Sequence, residues 1–350
     1  MRAPRITGWI AAVLLAAPAT ATAAAGEPVP IMVSYQQGLY GSLPLYVATE
    51  KEWWTAVGLR PSFVTFPADG EQLGAGADQV WEVAATAPLS AILGADRFGL
   101  LTVGIADDAS DASVVMARPK EVDAIFKRPA FLKGKELLAT PETTAEYVAR
   151  ACLAKWRLQP EDMHVVAVDP ADILAHFADR DGRIAALSAP DDYALFEKRA
   201  GITVCSGKNA GVMIPGALVA RADFAGDHPE RVARFLAVFL HAVAWQKTHR
   251  DETLALMRRF YSGYGIRLSD DDVAKEFDTR PTFALPEQLK LLDRSHGGVS
   301  AADGWYGRLS AYLVSAGAVQ APPLGESFLS ERYVRWVAGD PVLKAFAEGE

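Results

Sequence analysis

Cysteine is scarce: Cys152 and Cys205 are the only two in 350 residues. Two thiols cannot build a disulfide framework, and their spacing matches no zinc or thioredoxin motif. Buried inert thiols are the expected state, with a bond between them left open. An excess of positive charge is also lacking. Lys and Arg total 35 against 43 Asp and Glu, a formal charge of -8. Such a chain is a poor match for phosphate backbones, so no nucleic-acid partner is expected. Long apolar runs are missing as well. The stretch Trp9 to Ala17 is short, and Arg231 to Trp245 is interrupted by Arg234 and His241. Neither reaches the ~20 residues a membrane-spanning helix needs, so no membrane insertion is expected. Catalytic signatures are absent too: no G-x-S-x-G, no H-E-x-x-H, no phosphate loop and no G-x-G-x-x-G after a strand. The six histidines are scattered, with no pair at a usual ligand spacing. These absences predict no metal, no cofactor and no enzyme.

What remains is an ordinary globular mixture, 50% hydrophobic and 22% charged, long enough for about two domains. Residues 1–25 read as a secretory signal peptide. Arg2 and Arg5 precede the apolar stretch, Pro18 breaks it, and Ala-x-Ala steps such as Ala21-Thr22-Ala23 follow. Cleavage removes two arginines and no acid, taking the charge from -8 to -10. No cysteine stands at the processing site, so no lipid anchor is expected, and the mature protein is expected in the periplasm.

From Ile31 onward short apolar runs alternate with helical patterns, the signature of βαβ units and a largely parallel sheet. One series predicts strands at 31–35, 60–66, 81–84, 100–106 and 113–118. Its helices start at Ser42 and Thr86, and Gly58 ends the first. A second series, from Pro119, predicts strands at 135–139, 165–168, 184–187, 202–205 and 212–220, with a helix from Thr143 to Trp156. After that the pattern is almost wholly helical, beginning with Pro229–Thr248. The reading is α/β with two lobes: residues 29–117 with 216–350, and 118–215. The helical tail packs on the first lobe. Two crossings between lobes create a cleft with a hinge.

A hydroxyl recurs at predicted strand-to-helix turns: Ser42, Thr86, and Thr143 with Thr144. Such turns place free N–H groups and the positive end of a helix where ligands collect in open α/β sheets. Ordinary N-capping explains any single one of them equally well.

The string Val33 to Ala56 resembles the opening of the nitrate/sulfonate/taurine family of periplasmic substrate-binding proteins, through Pro44, Leu45, Val47, Ala48, Glu50 and Lys51. Phe66-Pro67, the Gly76 to Pro88 stretch, Lys133-Gly134-Lys135, the segment Pro141 to Tyr147 and His228-Pro229-Glu230-Arg231-Val232 follow in the family's order. The resemblance implies a two-lobed type II periplasmic binding-protein fold with the ligand between lobes. It implies a monomeric, exported component of an ABC importer, working with a permease and its ATPase subunits on a small-molecule ligand. Carried over, the ligand residues are Tyr35, Gln36, Tyr40 and Ser42, then Thr86 and Ala87, then Thr143 and Thr144, with Asp191 in the second lobe. Where many members carry W-D-P-Y, this chain has Ser188-Ala189-Pro190-Asp191, so an aromatic contact is missing. Two other roles belong to the same superfamily: an exported relative of thiamine-pyrimidine synthases, whose chemistry depends on a cysteine-rich stretch, and a periplasmic sensor input protein.

Overall fold

The structure is a computed structural model that describes residues 27–179, 183–295, 297–321, 323 and 325–349. The expected signal peptide and His296 lie outside the described residues. Among the described residues, ten strands form two five-stranded sheets. In chain order they are β1 (Val29–Gln36), β2 (Leu59–Phe66), β3 (Val83–Thr86), β4 (Leu100–Asp108), β5 (Ser113–Ala117), β6 (Glu136–Ala139), β7 (His164–Ala167), β8 (Arg183–Ser188), β9 (Ile202–Ser206) and β10 (Pro215–Arg221). The first sheet runs β2-β1-β3-β10-β4 and the second β7-β6-β8-β5-β9. This is the two-lobed arrangement the resemblance implies.

Two expectations need correction. The sheets are mixed rather than largely parallel: β10 is antiparallel to β3 and β4, and β5 is antiparallel to β8 and β9. These two strands follow the chain's passages from one sheet to the other, and apolar patterning carries no information on strand direction. The lobe boundary also moves. Residues 113–117 hydrogen-bond in the second sheet, so the chain changes sheets between Asp108 and Ser113 rather than after residue 117. The return passage lies between Ser206 and Pro215.

The helical tail packs on the first sheet. The Leu285–Leu292 helix clips β4 through Gln288, whose Oε1 accepts from Ile105 N (3.0 Å) and whose Nε2 donates to Ile105 O (2.5 Å). Tyr306 Oη donates to Pro215 O at 3.3 Å. The Pro229–Thr248 helix has proline at its first turn, where the missing N–H costs nothing. It buries Val232, Phe235, Leu236, Phe239, Leu240 and Val243 in the main core. Gly58 (φ +70°) closes the turn before β2, in the left-handed conformation that favours glycine.

The cysteines correct a third expectation. Cys152, on the Thr144–Lys155 helix, and Cys205, on β9, form a disulfide with their Cα atoms 6.1 Å apart. They stand 53 residues apart in sequence and meet only because the helix packs across β9.

Candidate functional site

A cavity of about 450 Å³ lies between the sheets, lined from both. The first sheet contributes Gln36 and Thr86 at the ends of β1 and β3, with Asp107 on β4. The second contributes Ser188 at the end of β8, and Thr140 follows β6. Five helices begin at the wall: Asp69–Ala77, Pro88–Phe98, Thr144–Lys155, Pro170–Asp179 and Asp191–Glu197, represented there by Asp69, Pro88, Thr144, Asp169 and Asp191.

Six of the nine expected ligand residues line this cavity: Gln36, Thr86, Ala87, Thr143, Thr144 and Asp191. Gln36 Nε2 donates to Asp69 Oδ1, to Gln72 Oε1 (3.1 Å) and, more weakly, to Thr86 Oγ1 (3.4 Å). Thr143 Oγ1 donates to Thr140 O (2.7 Å) and accepts from Glu146 N (3.3 Å), so it caps its helix while facing the cavity. Thr86 is not a cap. It ends β3, and Ala87 holds the N-cap position.

Tyr35, Tyr40 and Ser42 do not line the cavity. Side chains alternate along a strand, so with Gln36 facing the cavity, Tyr35 faces the other way. Its ring packs on Phe63, Phe260 and Tyr264, and its hydroxyl meets Tyr264 Oη at 3.1 Å. Tyr40 is buried behind Arg280, whose guanidinium sits 5.2 Å from the ring centre. Ser42 is buried, makes no capping bond, and its Oγ has no hydrogen-bond partner among the described residues.

Of the charged groups of the wall, Asp191 was among the expected ligand residues, whereas Asp69, Asp169 and Arg280 carried no signal in the sequence. Asp69, Asp107, Asp169 and Asp191 all line the cavity, with Arg280 as the single cationic side chain among the described residues. Asp107 is 3% exposed, and its Oδ1 lies 2.0 Å from where a Cβ on Gly216 would stand. Only glycine permits that approach. Burial raises the Asp107 carboxyl to about 7, with Asp108 and Glu276 adding to the effect and Arg280 opposing it. Burial also raises Asp69, against its hydrogen bonds from Gln36 and Ser90, and it raises Asp191.

Arg280 is held from two sides. Its Nε is 3.1 Å from Glu276 Oε1 and its Nη1 is 3.8 Å from Asp107 Oδ2. Burial works against its charge, but Glu276 and Asp107 outweigh that and keep it protonated. Glu276 also accepts from Tyr261 Oη (3.3 Å) and from Tyr193 Oη (2.6 Å), the latter on the Asp191–Glu197 helix beside the second sheet. A second bond between the lobes runs from Tyr312 Oη to Glu146 Oε2 at 2.6 Å. Two mixed five-stranded sheets with a cavity between them and contacts joining the lobes beside it define the class: this is the periplasmic binding-protein fold.

The chain belongs to the NMT1/THI5-like family, whose model matches residues 41–253. A Brucella abortus relative designated a binding protein is 24% identical over 305 residues, covering 85% of this chain and 89% of its own. A Bacillus subtilis relative designated an aliphatic sulfonates-binding protein is 26% identical over 234 residues, 65% of this chain and 68% of its own. Among solved structures, the periplasmic aliphatic sulphonate binding protein of Escherichia coli superposes with a TM-score of 0.71 at 17% identity. That match covers 87% of this chain and 92% of the other.

Proposed function

We propose that this protein is the exported solute-binding component of an ABC importer. It captures a small anion or small organic solute of the sulfonate, taurine or nitrate kind by closing two lobes around it. The cavity carries the reading: it is built from the ends of strands and the starts of helices of both sheets, where a bound solute stabilises the closed state. The lobes of this proposal are residues 29–108 with 215–349, and 113–206, hinged at 109–112 and 207–214.

Gln36, Thr86, Ala87, Thr143, Thr144 and Asp191 are the proposed ligand contacts. The helices that start after Ala87 and at Thr144 offer free N–H groups without an acid of their own at the wall. A buried disulfide fits an oxidising compartment, which supports a periplasmic location after cleavage of residues 1–25, with no lipid anchor. The protein acts as a monomer and hands its solute to a permease driven by ATPase subunits, with no covalent chemistry.

Solution scattering and thermal melting, with taurine, ethanesulfonate and nitrate as probes, test this reading. A binding probe should shrink the radius of gyration and, at a hundredfold excess over Kd, add roughly 2.7 kcal/mol of stability. A probe that binds and leaves the scattering unchanged argues against closing lobes. Recovery of the probe chemically altered would make the protein an enzyme instead.

A further inference from the structure

The charge of the cavity wall opposes a bare anion. Four carboxylates, Asp69, Asp107, Asp169 and Asp191, face one guanidinium, and that guanidinium is already compensated by Glu276 and Asp107. Four of the five helices carry an acid in or just before the first turn, and at three of them that acid lines the cavity: Asp69, Asp191, and Asp169 just before Pro170; the Glu146 of the Thr144–Lys155 helix lies off the wall. These carboxylates occupy the positive helix ends that would otherwise attract an anion. A second observation points to a ligand. Asp107 Oδ2 is buried and accepts no hydrogen bond among the described residues, its ion-pair partner Arg280 Nη1 standing 3.8 Å away, and Asp107 is part of the wall. A buried carboxylate oxygen left without a donor is costly, so a donor brought by the solute would be strongly favoured.

Building on the function proposed above, we propose that the solute carries a protonated amine. The amine is received by Asp107 and the carboxylates around it, while the polar head of the solute lies toward the starts of the Pro88–Phe98 and Thr144–Lys155 helices. The preferred occupant is a zwitterion, not an alkanesulfonate or nitrate. Depth orders the carboxylates: Asp169 is exposed, Asp191 reaches solvent at the mouth with its carboxyl partly desolvated, Asp69 is half-buried and Asp107 is at the floor. The outer pair meets an approaching cation first, and Asp107 makes the desolvated contact that discriminates.

Calorimetric titration with matched probes tests this: taurine against ethanesulfonate, and homotaurine against propanesulfonate, with nitrate alongside. The amine member of at least one pair should bind at least about tenfold more tightly, the gain expected of one charge-assisted hydrogen bond. Asp107→Asn should abolish that gain, read within the variant itself as the ratio of the Kd values of each amine probe and its matched alkanesulfonate, which should fall to within about threefold of one. Asp191→Asn, at the exposed mouth, should reduce the gain by a smaller factor, which keeps the test open if Asp107→Asn disturbs folding. Binding of ethanesulfonate, propanesulfonate or nitrate with no advantage from the amine overturns this inference and leaves the proposed function standing. Binding of none of the probes overturns both.

Discussion

The two lobes reach stability by different means. The first sheet is sandwiched between helices, and its apolar residues merge with those of the tail into one large core. The second sheet has more modest cover. Its edge strand β7 is largely exposed, and one face holds a separate small cluster of Val114, Met116, Leu138, Ile173, Phe177, Ala185, Leu187 and Leu195. The disulfide lies in this lighter lobe, tying the Thr144–Lys155 helix to β9. Apolar burial and covalent restraint thus stand in for each other within one chain.

Removing the disulfide should break that balance and give the largest effect. A loop of 53 residues corresponds to roughly 4 kcal/mol of chain entropy. A Cys152→Ser, Cys205→Ser double variant should lose on the order of 2–4 kcal/mol in denaturant titration. Hydrogen exchange should place the loss in residues 113–206, and uniform loss across both lobes would contradict the comparison.

Next comes pH. Asp107 and Asp192 have carboxyls raised from 3.8 to about 7 in the folded protein, in both cases chiefly by burial. Asp107 is faced by Arg280, Glu276, Asp108 and the hydroxyls of Tyr40 and Tyr306; Asp192 by Glu276, Lys275, Arg280 and Tyr193. Between those values the native state holds protons that the unfolded chain has released. Stability is therefore greatest below about pH 4 with respect to these groups and is lost as pH rises through 7, by about 1.4 kcal/mol per pH unit for each proton retained. Denaturant titrations across this range, on the parent and on Asp107→Asn, should show a shallower decline in the variant.

Cutting one bond between the lobes sharpens the comparison further. Tyr193→Phe removes the hydroxyl that Glu276 accepts and should cost roughly 1.5–3 kcal/mol, the usual range for a hydrogen bond to a charged group. Expansion in solution scattering would show that the bond holds the lobes together. An unchanged radius with lower stability would confine its role to packing.

The smallest effect is expected at Thr143, where capping and ligand contact make different predictions. Loss of the cap in Thr143→Ala costs about 1 kcal/mol of stability. Affinity for a binding probe should also fall if the hydroxyl touches the solute. Calorimetry beside denaturant titration separates the two, and unchanged affinity would leave Thr143 a cap alone.

Local chemistry made much of the fold legible. The Pro229–Thr248 helix is read to its ends because proline starts it and apolar residues run through it. The Asp69–Ala77 helix escaped notice because Gly70, Gly74 and Gly76 suppress a helical pattern. Gly76 is glycine for a tertiary reason: a Cβ there would lie 2.4 Å from the Trp81 ring. In the site, of the four residues carried over from the first loop only Gln36 lines the cavity, because strand alternation sends Gln36 inward and Tyr35 outward. The meeting of Arg280 with Asp107 had no signal at all, since it joins a helix end to a distant strand through three-dimensional packing.

The position of β10 has a consequence for the order of assembly. It fills the gap between β3 and β4, and β4 has no other strand partner in the first sheet among the described residues. A chain delivered from its N-terminus therefore cannot close the first sheet until residues 215–221 arrive. The second sheet draws only on residues 113–206 and already holds both cysteines. On emergence, the later-starting lobe can finish and oxidise first, giving the earlier one a formed neighbour against which to complete itself.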